Sequence, residues 1–185
     1  MKKMVLILFF VVLVSVNSFA GTEETGAWSE PVDGLRGRLI AKEGSAFHGT
    51  KMVDIYLELE NVSDVGNPMQ FYFDPIKSIE SRCFYSNGKD LMQPPTAADV
   101  ITPSAYWLSI PSDGKLKFKI SVTGYGVYDN SGSNVQMMSG NWLIKPGDKG
   151  KYYLEAKLIS HPPESSRIRA WSGELKFPKV LIPHS

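Results

Sequence analysis

The sequence predicts an all-β fold of two antiparallel sheets packed face to face. Three observations carry that expectation. Apolar and polar residues alternate with a period of two in one segment after another. Turn-forming Gly, Pro, Asn and Asp residues separate those segments. No stretch sustains the 3.6-residue period of an amphipathic helix.

Taken in order, Leu35–Ala41 opens the series, with Leu35, Leu39 and Ala41 alternating against Arg36 and Arg38. Thr50–Asn61 is the clearest strand: Val53, Ile55, Leu57 and Leu59 point one way, Asp54, Tyr56, Glu58 and Glu60 the other. Met69–Phe73 and Ile79–Tyr85 are aromatic and β-branched, which suits a pleated, half-buried surface. Lys115–Val122 sets Leu116, Phe118, Ile120 and Val122 against Lys115, Lys117, Lys119 and Ser121. Asn141–Ile144 is short and apolar. Lys151–Ile159 buries Tyr152, Leu154, Ala156 and Leu158, and Trp171–Phe177 offers Trp171, Leu175 and Phe177. Asn67-Pro68, Asn87-Gly88, Asp113-Gly114 and Pro146-Gly147-Asp148 are the clearest turns. Asn87-Gly88 predicts a tight hairpin between Ile79–Ser86 and Lys89–Met92.

Two connections are long. Pro94–Ser112 holds four prolines, with Tyr106 and Trp107 in its middle and at most one helical turn at Thr96–Val100. Thr123–Gly140 holds Tyr125, Tyr128 and the polar run Asp129–Asn134. Connections of that length are uncommon unless they bind something or lack order. The count is about seven to nine strands, the immunoglobulin-like sandwich pattern at this length; a closed barrel is the alternative. The expected core includes Ile55, Leu57, Leu59, Phe118, Ile120, Leu154, Ala156, Trp171 and Leu175.

Residues 1–20 are set apart. Lys2 and Lys3 precede the apolar run Met4–Val14, and Ser18-Phe19-Ala20 closes it. Basic, apolar, then small residues is the order of a secretory signal peptide. The apolar run falls well short of the roughly 20 residues that span a bilayer as a helix. The expectation is cleavage after Ala20, no stable membrane insertion afterwards, and a single β-sandwich domain over 21–185, exported to the periplasm or beyond. The lone Cys83 closes no intramolecular disulfide and reads as a small buried core residue.

Charge and motifs exclude several chemistries. Twenty Lys and Arg stand against nineteen Asp and Glu, so a dedicated nucleic-acid binder is not expected. His48, His161 and His184 are scattered and form no HExxH pair, and there is no GxSxG elbow. Solvent exposure is the reading for the histidines. Asp129–Ser133 starts like a calcium loop, but Asn134 stands where glycine belongs and Gly140 where the bidentate glutamate belongs. No catalysis, cofactor or metal is expected. Asn61-Val62-Ser63 matches a glycosylation sequon but reads as a strand-end turn. Lys115, Lys117 and Lys119 form a basic stripe that either docks an acidic polymer or guards an edge strand.

Three pieces of sequence carry a resemblance. They are Trp28–Leu39, Asp54–Ser63, and the late run from Trp142-Leu143-Ile144-Lys145-Pro146-Gly147-Asp148 through Gly150–Leu154 to Trp171–Pro178. Together they resemble poorly characterised secreted bacterial domains with immunoglobulin-like sandwiches. The resemblance implies the fold and no catalytic or binding residue. A weaker one, to intracellular proteinase-inhibitor domains of the same class, conflicts with the leader. The functional expectation is a structural or protein-interaction module that engages another envelope protein. The alternative is a carbohydrate-binding module, a polysaccharide stacking on Tyr106, Trp107, Tyr125 and Tyr128.

Overall fold

The computed structural model describes residues 21–47, 49–63, 66–93, 104–122, 132–145, 147–166 and 168–184. Residues 1–20, His48, Thr96–Val100, Tyr125, Tyr128 and Asp129–Ser131 lie outside the described residues.

Among the described residues the fold is all-β, with several sheets and no closed barrel. Eleven strands are present among the described residues: β1 (Glu23–Thr25), β2 (Leu35–Phe47), β3 (Thr50–Asn61), β4 (Met69–Phe73), β5 (Ile79–Tyr85), β6 (Tyr106–Ile110), β7 (Lys115–Lys119), β8 (Ser133–Met137), β9 (Gly140–Ile144), β10 (Tyr152–Ser160) and β11 (Gly173–Leu181). The largest sheet runs β1-β2-β3-β8-β9, with β7 also on β3. A second sheet runs β11-β10-β5, and β4 pairs with β6 as a ribbon. The ribbon is tied to the second sheet by Ser160, whose Oγ accepts the Tyr72 amide and donates to the Tyr72 carbonyl.

Alternation sets the layers. Leu35, Leu39, Ala41, Ile55, Leu57 and Leu59 of the large sheet and Leu154, Leu158, Leu175 and Phe177 of the second are buried in one core. Every expected core residue is there except Phe118, which is half-buried and packs against it from the margin. Burying one such side chain contributes roughly 1.5–3 kcal/mol, so this shared core dominates stability.

Five expectations are corrected. The two long connections are not loops throughout: Tyr106–Ile110 and Ser133–Met137 are strands. Together with β1 they raise the count above the expected seven to nine. Neither carries a clean alternation; in β8 all five residues are buried, Asn134 and Gln136 included. Pairing is not purely antiparallel, because β8 runs parallel to β3. Hydrogen bonding also divides the strands into three sheets rather than two. The Asn87-Gly88 reversal forms, with Gly88 at φ 83°, but its second arm makes one bridge, Phe84 to Asp90, and no strand. No helix of the described residues is long and apolar enough to cross a membrane.

Candidate functional site

The outer face of β2, β3 and β7 carries a charge lattice that follows from alternation and register. Residues directly opposite on paired strands project to the same face. Arg36, Glu60 and Lys115 thus form one row, and Arg38, Glu58 and Lys117 the next. Arg36 reaches Glu60 at 2.6 Å, Arg38 reaches Glu58 at 2.6 Å, and Lys119 reaches Asp54 at 2.6 Å. Lys115 lies 3.7 Å from the same Glu60, and Lys117 sits 5.2 Å from the Tyr56 ring centre without a carboxylate partner among the described residues. Half-exposed pairs of this kind contribute about 0–1 kcal/mol each, so the lattice orients charge more than it stabilises.

Trp28 lies over this lattice because of a turn. Asp33 (φ 49°) and Gly34 (φ 79°) form a two-residue reversal closed by reciprocal Val32–Leu35 hydrogen bonds of 2.8 and 3.0 Å. Gly34 is required twice over: its φ is left-handed, and a Cβ there would stand 2.6 Å from that of Ser63. The arm before the turn runs back along β2, with Ser29 N–H donating to Gly37 and Gly26 N–H to Leu39. This lays the half-buried Trp28 ring 5.0 Å from Arg36, 4.6 Å from Arg38 and 5.2 Å from Lys115. Sequence reading missed Trp28. The Asp-Gly dipeptide before the alternating run was the available signal.

Of the proposed aromatic platform, Tyr106 and Trp107 lie among the described residues and Tyr125 and Tyr128 outside them. Tyr106 and Trp107 are neighbours on β6 and so point to opposite faces. Tyr106 is 43% exposed and leans on Phe73, centroids 5.5 Å apart. Trp107 packs edge-on against Tyr72 at 5.3 Å and 62° on the other face. Tyr72 was not singled out from the sequence; it lies opposite Trp107 in the β4–β6 register.

β6 and β7 border one flank. The turn between them is closed by Gly114 N–H on the Pro111 carbonyl, and Phe73 contacts both Tyr106 and Phe118. Each strand pairs along one edge only among the described residues: β6 with β4, β7 with β3. Between the sheets here lies a concavity of about 230 Å³ lined by Phe73, Tyr106, Ile120 and Met137 among others. Comparison with protein-family models, curated proteins and solved structures finds no match.

The titratable groups are placed structurally. His161 is exposed, as expected, but His184 is half-buried, edge-on to Tyr152 at 5.0 Å. Tyr152 donates its hydroxyl to Asp148. That bond and the Gly150 amide hold the Asp148 carboxyl below its ordinary range, while burial and Asp148 raise the phenol. Cys83 is 1% exposed, and burial pushes its thiol up to about 12, far from a reactive thiolate. No group of three or more His, Cys, Asp or Glu with metal-binding proximity exists among the described residues.

Proposed function

We propose that this is an exported, non-catalytic binding module: an immunoglobulin-like sandwich over 21–185 that engages a protein of the cell envelope. The observation that carries the reading is the flank where, among the described residues, consecutive strands β6 and β7 each keep an unpaired edge. A row of unmet backbone donors and acceptors is a site for another chain. The core shared between facing sheets supports the sandwich. The sheet carboxylates Asp54, Glu58 and Glu60 are each engaged by a cation, so none stands as a free acid or base.

The carbohydrate alternative is less well supported. A sugar-stacking surface wants flat, open rings on one side, whereas Tyr106 and Trp107 face apart and Trp107 has its edge contact with Tyr72.

The test pairs a pull-down from envelope extract with a glycan array, using the wild type and Trp107→Ala. A specific protein partner retained by both supports the module reading. Glycan binding abolished by Trp107→Ala, with no protein partner, overturns it.

A further inference from the structure

The charge lattice ends on the wrong sign. Across the large sheet the outward residues are cationic on β2 (Arg36, Arg38), acidic on β3 (Glu58, Glu60) and cationic again on β7 (Lys115, Lys117, Lys119). The sequence of signs stops at β7, whose far edge bears no strand among the described residues. The β3 carboxylates cannot neutralise both flanks. Arg36 holds Glu60 at 2.6 Å and leaves Lys115 at 3.7 Å; Lys119 is held by Asp54 at 2.6 Å, and among the described residues Lys117 has only the Tyr56 ring. On the second sheet, by contrast, each of two cations meets two carboxylates: Lys157 lies between Glu80 at 3.0 Å and Glu174 at 3.4 Å, and Arg82 meets both Asp90 and Glu155.

We infer that the edge of β7 left unpaired among the described residues docks an extended, acidic β-strand from a protein partner. This rests on the binding-module reading and gives it a site and a partner chemistry. A strand added beside β7 would satisfy the unmet backbone groups. Its alternate residues would stand directly opposite Lys115 and Lys117, where carboxylates pair and cations repel. Its other residues would face inward beside the half-buried Phe118, toward the concavity lined by Phe73, Tyr106, Ile120 and Met137. The fitting sequence therefore alternates acidic and apolar residues.

Two competing occupants fit less well. A second copy of this chain would set β7 lysines against β7 lysines. A polyanion without amides, such as an acidic polysaccharide, would leave the backbone edge unmet and bring charge near Glu58 and Glu60 as well.

The experiment titrates the full exported chain with a fluorescein-labelled peptide of alternating Glu and Val. Three controls are a Lys-Val counterpart, the Glu-Val peptide N-methylated at alternate amides, and heparin. The Glu-Val peptide is expected to bind, to weaken at least tenfold with Lys117→Glu, and to weaken at least tenfold when N-methylated. Circular dichroism melts check that Lys117→Glu folds. Hydrogen exchange at the amides of residues 115–119 is expected to slow in the complex. No binding would show that the lysines only guard the edge and would overturn the assignment. So would equal binding of the Lys-Val or N-methylated peptide, or tighter binding of heparin without protection of those amides. If the peptide fails while the pull-down still yields a partner insensitive to Lys117→Glu, the β7 assignment falls and the module reading stands.

Discussion

The Ser121 side chain closes the backbone of Ile55: its Oγ accepts the Ile55 amide at 2.9 Å. The Ile55 carbonyl accepts both Ile120 N–H at 2.8 Å and Ser121 N–H at 3.2 Å. Here the chain leaving β7 parts from β3 and crosses to β8, where Val122 N–H donates to the Gln136 carbonyl. One edge of β3 thus serves β7 over Tyr56–Glu60 and β8 over Lys51–Val53, and Ser121 fills the fork between them. Ile55 is 0% exposed and Ser121 only 7%, so this amide is met inside the protein.

Ser121→Ala leaves that buried amide without an acceptor. The expected loss is about 1–3 kcal/mol, read as a lower urea midpoint at an unchanged slope. A loss under about 0.5 kcal/mol, the range of an ordinary surface substitution, would show that the fork closes without Ser121.

Asn61 is a hub where a glycosylation site was formally possible. It is 0% exposed, and its Nδ2 donates to the carbonyls of Asn67 at 3.1 Å, Ile110 at 3.4 Å and Pro111 at 3.3 Å. Its Oδ1 accepts the Ser63 amide and hydroxyl at 3.1 and 2.6 Å. Asn61→Ala is expected to cost about 2–3 kcal/mol by leaving several groups unpaired, measured by thermal or urea unfolding. Expression in a glycosylating host is expected to leave the mass unchanged at this sequon.

The Tyr152–Asp148 bond predicts a pH window. Asp148 is lowered in the folded state, so its contribution is complete above the unfolded value of about 4 and is lost as pH falls through the folded one. Tyr152 is raised, so its contribution is complete below about 10 and is lost as pH rises through the folded value. Asp148→Asn should lower Tm at pH 7, with the gap to wild type closing as pH falls below about 4. A gap that stays constant in acid would show that the carboxylate charge plays no part.

Cys83 should be silent in the native protein. With 1% exposure and a thiol pushed up to about 12, it is expected to react with a thiol reagent only at the rate of unfolding. Prompt labelling of one equivalent under native conditions would contradict the buried placement.

Residues 1–20 are expected to be removed as a signal peptide. The intact mass of the exported product is expected to begin at Gly21, after Ala20. A product that keeps residues 1–20 in a membrane fraction would make them an anchor.

The strand segments with one wet face were legible because alternation records which side is buried. β3 reads Val53, Ile55, Leu57, Leu59 inward and Asp54, Glu58, Glu60 outward in the sequence and in the fold alike. The same pattern disclosed the Lys115, Lys117 and Lys119 stripe, and so half of the proposed docking edge. β8 was hidden for the converse reason: Ser133–Met137 is buried on both faces, and its Asn134 and Gln136 mimic a polar loop. Which strands lie side by side was decided only in three dimensions. Pairing is made by backbone amides and carbonyls that nearly every residue shares, so composition does not specify that β8 runs parallel to β3 or that β7, among the described residues, pairs along one edge only. Trp28 likewise met Arg36, Arg38 and Lys115 only when the Asp33-Gly34 turn folded its arm back along β2. The sequence by itself determined the faces; the tertiary structure decided the neighbours, because side-chain hydrophobicity is local and strand pairing is not.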